Sequence, residues 1–211
     1  MKERPILFST PMVKAILKGE KTQTRRVVKP QGAILTDEIA RSLNIQPPST
    51  ENMPVIPCPY GQIGDVLWVR ETWIDLQKTP VMGAGSEKYY GLKYWYRADN
   101  TKEMEIAGNY KPSIFMPKEA CRIRLKITDI RVERLSDIDE SDALNEGIGS
   151  FTKDGVGFKF GLDGWNWSCQ NGHPFMCSNA ALAYSELWES INGKGSWDKN
   201  PFVWVVTFER I

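Results

Sequence analysis

Lys21, Thr24, Arg25 and Arg26 place an amine, a hydroxyl and two guanidiniums within one short stretch. Between Lys14 and Lys29 the chain carries six basic residues (Lys14, Lys18, Lys21, Arg25, Arg26, Lys29) and one acid, Glu20, although the whole chain is only +1. The positive charge is therefore local. Local positive charge beside a short loop suits an anionic ligand such as a nucleotide or an RNA phosphate. A helix with a solvated basic face has the same composition.

The elements that must position these groups can be read around them. Thr10 is suited to cap a short helix, and Pro11 to its first turn, where no amide hydrogen is missed. Val13, Ile16 and Leu17 fall at helical spacing, and Gly19 fits a left-handed stop. The reactive groups then sit at a helix exit, on a segment, Thr22 to Val28, that reads as extended until Pro30. Val27 or Val28 turns inward. A first strand precedes the helix at Pro5 to Phe8.

Further along, Gly61 to Asp65 is turn chemistry leading into a strand from Val66 to Trp73. Leu67, Val69, Glu71 and Trp73 lie on one side of it, with Val66, Trp68, Arg70 and Thr72 on the other. Trp68 and Arg70 can line a base-binding groove, the ring stacking and the guanidinium on a phosphate; Trp73 joins them only if the strand bends. Core packing, with an exposed ion pair from Arg70 or Glu71, is the alternative. Residues 76–112 are irregular apart from an aromatic hairpin arm at Tyr89 to Tyr96.

Cys121 to Ile130 alternates most clearly. Cys121, Ile123, Leu125 and Ile127 take one face, and Arg122, Arg124 and Lys126 the other, which is positive throughout. That face is either solvated or contacts an RNA backbone. Leu135-Ser-Asp137 opens a helix running to Gly147, capped by Ser136 or Asp137. Ser178 to Ile191 is a helix with Ala181, Leu182, Tyr184, Leu187 and Trp188 on its buried side. Phe202, Trp204, Val206 and Phe208 alternate inward on a closing strand.

At 211 residues the chain suits one domain with long insertions. Eight Trp, seven Tyr and eight Phe are many for this length; some must pack the core, and a surplus would suit base stacking. No apolar run approaches the roughly 18 residues of a membrane span, and no signal peptide is present, so the expectation is a cytoplasmic protein without a membrane partner. Cys58, Cys121, Cys169 and Cys177 do not form a disulfide framework. Cys169-x3-His173-x3-Cys177 departs from the usual zinc spacing, and His173 is the only histidine.

Gly19-x-Lys21-x-x-Thr24-x-Arg26 resembles the Gly-x-Lys-x-x-Glu-x-Arg signature of the ASCH domain, a PUA-like family associated with RNA. Thr24 stands where many members carry Glu. The branch that includes N(4)-acetylcytidine amidohydrolase has Gly-x-Lys-Thr-x-Thr-x-Arg, which Lys21, Thr22, Thr24 and Arg26 match position by position. The whole chain is similar to ASCH proteins of the phage and prophage type. The resemblance implies a single α+β domain over 1–211, built on a small PUA-like β-barrel with flanking helices and insertions at about 31–57, 76–112 and 150–177. It implies a catalytic trio of Lys21, Thr24 and, from the segment Ala143 to Ile148, Glu146. It implies neither cofactor nor metal.

Amide hydrolysis needs a nucleophile, a base and an acid for the departing amine. Thr24 is the nucleophile in this reading, and Lys21 its base, provided burial or Arg25 and Arg26 lower the lysine's pKa. Glu146 donates the proton or orients Lys21. On a straight strand positions 21 and 24 face opposite ways, so the chain has to bend after Gly19. Substrate contacts fall to Arg25, Arg26, Trp68, Arg70, Glu71, Trp73, Arg122 and Arg124. Two other functions remain open: an RNA- or nucleotide-binding module without catalysis, and a metal-independent ribonuclease. The partner is RNA or a modified nucleoside in all three, and the oligomeric state is not set.

Overall fold

A computed structural model describes residues 1–29, 57–78, 91–100, 109–150, 158–160 and 179–211, with backbone alone at 150 and 158–160. The fold is mixed α+β. Five strands form the main sheet: β1 (Glu3–Leu7), β2 (Gln23–Val27), β3 (Val66–Arg70), β6 (Arg124–Arg134) and β9 (Phe202–Arg210), in the order β1-β3-β6-β9-β2. β1 runs parallel to β3, and the other pairs are antiparallel. β4 (Trp73–Asp75) pairs with β5 (Tyr94–Tyr96), and β7 (Ile148–Ser150) with β8 (Phe158–Phe160). Helices α1 (Thr10–Lys18), α2 (Glu140–Asn145) and α3 (Ala180–Asn192) pack around the sheet. The expected barrel does not close, since β1 and β2 are the two edges of an open sheet among the described residues.

Two cores lie on opposite faces. The first joins Val13 and Ile16 of α1 to Leu67, Val69, Leu125, Ile127, Trp204, Val206 and Phe208. The second sets Tyr184, Leu187 and Trp188 of α3 and Ala143 of α2 against Val203 and Val205. β9 is therefore buried on both faces, not on the single face its alternation of aromatic residues indicates. α3 buries Ala180, Ala183, Tyr184, Leu187 and Trp188, while Leu182, expected inside, is half exposed. Ala181 is only partly buried. A period of 3.6 places 180, 184, 187 and 188 on one stripe and turns 182 away from it.

Local chemistry explains the ends of the helices. Ser9, not Thr10, occupies the N-cap of α1, without a side-chain hydrogen bond. Gly19 ends the helix at φ 77°, and the amides of Glu20 and Lys21 turn back onto Ala15 O. Neither Ser136 nor Asp137 caps α2. Leu135–Asp137 forms a separate 3-10 turn, and Asp139 caps α2 by accepting from the Asp142 amide.

A bulge breaks the register of β6 against β9 between Ile127 and Asp129. One extra residue swaps the faces of everything after it. Leu125 and Ile127 belong to the first core before the bulge, and Ile130 and Val132 after it. Arg131 and Glu133 are thereby delivered to the opposite face, beneath α2. Among the described residues, no helix is long and apolar enough to cross a membrane.

Candidate functional site

The Gly19 turn sends the chain across to the end of α2. Thr22 N–H donates to Asn145 O at 2.9 Å, and Lys21 forms an isolated antiparallel bridge with Glu146. Residues 125 apart in sequence are joined in this way, and the Lys21 side chain is carried inside with no exposed surface. Its ammonium donates to Glu146 Oε2 at 2.6 Å, Glu146 O at 2.9 Å and Gln23 O at 2.8 Å. All three protons are used. Burial pushes the amine below its ordinary 10.5; the Glu146 carboxylate opposes this, and Arg26 and Arg25 add to the depression.

Arg25, also without exposed side-chain surface, is enclosed by acids. It donates to Glu133 Oε1 at 2.6 Å and 2.9 Å, to Asp142 Oδ2 at 2.5 Å and to Glu146 Oε1 at 3.3 Å. Arg131 closes the circuit through Glu133 at 3.0 Å and Asp142 at 2.7 Å. Burial lowers the Arg25 pKa, but Glu146, Glu133 and Asp142 outweigh it and hold the guanidinium charged. Three cations thus face three carboxylates in a largely buried network. Losing one partner there leaves another charge uncompensated.

Beside this network is a cavity of about 310 Å³, lined among others by Phe8, Met12, Thr24, Arg26, Glu146, Tyr184 and Trp188. It runs along the open edge of β2. Phe208 N–H donates to Thr22 O and Val28 N–H to Phe202 O, so the even-numbered residues carry the ladder with β9. Gln23, Arg25 and Val27 then turn their backbone groups to the free edge. Thr24 borders the cavity and is only 3% exposed. Tyr184 is buried, and its hydroxyl donates to Glu146 Oε1 at 3.5 Å. Burial, reinforced by Glu146, raises its phenol well above 10.0, so it stays protonated.

Of the residues singled out from sequence, Thr24, Arg25, Arg26 and Glu146 line this cavity, and Lys21 is bonded to Glu146 behind it. The remaining six lie elsewhere. Arg70 caps the carbonyls of Met116 and Ile114 and stacks on Trp68 at 5.5 Å. Trp73 is buried against Met116, Ala120 and Tyr94 in a third cluster, because it begins β4 and does not extend β3. Glu71 is not exposed: at 1% exposure it takes Arg122 in a two-pronged pair at 2.8 Å and 2.9 Å. Arg122 also meets Asp99 at 2.6 Å and stacks on Tyr96. Arg124 and Lys126 face Glu3 and Glu209, so that strand face is charge-paired and not uniformly positive.

Glu133, Asp142 and Tyr184 were not singled out for the site. The bulge hides Glu133 from any alternation pattern, and Asp142 reads as a first-turn helix acid. Tyr184 is recognisable as a buried helix residue, but nothing in its neighbours names the carboxylate opposite. Cys169, His173 and Cys177 lie outside the described residues. Among those described, no cluster of three His, Cys, Asp or Glu side chains is arranged to hold a metal. Comparison of the chain with protein-family models, curated proteins and solved structures finds no match.

Proposed function

We propose that the chain is a nucleoside- or RNA-directed hydrolase of the ASCH type, deacetylating N(4)-acetylcytidine or a related modified pyrimidine. The observation that carries this reading is the 2.6 Å bond between Lys21 and Glu146 behind a cavity that Thr24 and Glu146 both line. The PUA-like arrangement draws support from α1, whose Met12 borders the same cavity.

The chemistry starts within the pair. Passing one proton from the Lys21 ammonium to the Glu146 carboxylate makes an amine base and a carboxylic acid together. The depressed lysine pKa favours that exchange. Thr24 Oγ1 then attacks the acetyl carbonyl carbon as its proton passes to Lys21. Amides on the free edge of β2 supply donors for the oxyanion. Collapse breaks the bond from the carbonyl carbon to N4 as Glu146 protonates N4, so cytidine leaves and the acetyl group stays as an ester on Thr24. Water, losing a proton to Glu146, cleaves that ester while Lys21 returns a proton to Thr24. A proton then moves from Glu146 to Lys21, restoring the resting pair, and acetic acid ionises in solvent.

The test is acetate release from N(4)-acetylcytidine by wild type, Thr24→Ala and Lys21→Ala. Release by wild type that falls at least about a hundredfold in both variants is expected, the scale for a lost nucleophile or its base. No release by wild type, or release undiminished in both variants, removes the reading. One observation favours a second, a binding module without catalysis: all three Lys21 protons are already bonded, as in a purely structural ion pair. Ligand binding without turnover selects it.

A further inference from the structure

The groove along β2 continues beyond the cavity. A second hollow of about 520 Å³ has Lys29, Tyr60 and Trp204 in its walls, and Arg26, Val27 and Asn192 wall both spaces. Arg26 stands at the junction. Its electrostatic situation is unlike that of its neighbours, since Lys21 and Arg25 each meet carboxylates at 2.5–3.3 Å. Arg26 has no acidic partner among the described residues. Of its five N–H donors, Nη2 reaches Leu7 O at 2.7 Å, Nε is buried without an acceptor, and the guanidinium lies 5.4 Å from the Phe8 ring centre. Lys29 likewise has no acid beside it among the described residues.

We propose that the second hollow is a phosphate subsite, in which Arg26 and Lys29 hold the phosphate of a nucleotide whose modified base occupies the first cavity. The substrate is then a nucleotide, alone or within a strand, in preference to a free nucleoside. This rests on the first cavity being a nucleobase site. Three arguments lead to it. The charges of the buried network balance, so among the described residues the field in the groove comes from the two cations that meet no acid there, Arg26 and Lys29. A planar guanidinium offering parallel N–H groups matches phosphate oxygens. Tyr60, Trp204 and two prolines give part of the wall an apolar surface beside the two cations, and a lower local dielectric strengthens such contacts.

The experiment is a tryptophan-fluorescence titration, since Trp188 lines the first space and Trp204 the second. The ligands are N(4)-acetylcytidine, its 5′- and 3′-monophosphates, a trinucleotide with the modified base in the centre, and inorganic phosphate. At low salt, wild type is expected to bind at least one phosphorylated form about tenfold more tightly than the nucleoside, with the preference declining as salt rises. Arg26→Gln brings the ratio to within about twofold, and Lys29→Gln, a surface change that leaves folding alone, lowers it about threefold. A monophosphate that matches the trinucleotide identifies a nucleotide ligand; a trinucleotide that exceeds both monophosphates identifies a strand. Equal binding of nucleoside and all phosphorylated forms overturns the proposal, as does a preference that survives both substitutions. Phosphate preference without acetate release removes the hydrolase reading alone, whereas turnover of the nucleoside without phosphate preference removes this one alone. No binding by any of these ligands removes both.

Discussion

Glu146→Gln isolates the charge on which the buried network depends. The change keeps the size of the side chain and one carbonyl acceptor, but removes the negative charge that Lys21 meets at 2.6 Å and Arg25 at 3.3 Å. Arg25 keeps Glu133 and Asp142. Lys21 keeps only carbonyl groups, and removing one partner of a buried pair costs about 3–5 kcal/mol. The lysine's other option, loss of its proton, sets a ceiling. From an ordinary pKa of 10.5, deprotonation costs about 5 kcal/mol at pH 7 and about 1.4 kcal/mol at pH 9.5. The sign follows from linkage. Without the carboxylate, the folded pKa of Lys21 falls further below its unfolded value, so between the two the unfolded chain binds more protons and stability rises with pH. Wild type has the smaller depression, so the variant's deficit narrows as pH climbs from the variant's Lys21 pKa to that of wild type. Urea unfolding of both proteins is expected to show a deficit of about 3–5 kcal/mol at pH 7, shrinking below about 2 kcal/mol at pH 9.5. A deficit under about 1 kcal/mol at pH 7, or one equal at the two pH values, refutes the argument that this carboxylate holds a buried ammonium.

Three further outcomes follow from the same geometry. Tyr184→Phe removes a donor 3.5 Å from Glu146 Oε1, a long bond, so thermal unfolding should register a loss of about 1 kcal/mol or less. Burial raises the Asp142 pKa, but Arg25 and Arg131 outweigh it and hold it below 3.8. A depressed carboxylate adds stability above its unfolded pKa and loses it as pH falls through the folded value. The stability gap between wild type and Asp142→Asn in urea should therefore shrink from pH 6 to pH 3, and a constant gap contradicts the pairing. Gly19→Ala meets no atom within 4 Å of the new Cβ, but forces alanine to φ 77°, so its cost is conformational. Denaturant unfolding should show about 1 kcal/mol, and no loss would mean that the turn relaxes.

The neighbours Arg25 and Arg26 show how far this chain can be read without coordinates. Composition identifies a local excess of base around them, and the helix stop at Gly19 identifies where that charge leaves the helix. The α+β class, the strands at both ends and the buried face of α1 are legible for the same reason: they rest on short-range periodicity. What Arg25 does depends on residues more than a hundred positions away. Strand alternation sends Arg25 to the face beneath α2, where Glu133 and Asp142 neutralise it. Glu133 reaches that face only because one extra residue in β6 reverses the phase. Arg26, on the opposite face beside Phe8, meets no acid among the described residues. The same limit applies to Trp68, Arg70 and Arg122. Alternation says which side chains share a face, but not that Tyr96, Glu71 or the carbonyls near Met116 arrive to occupy them. A run of six basic residues therefore does not count available charge. Lys21 and Arg25 balance buried carboxylates, whereas Arg26 meets none among the described residues.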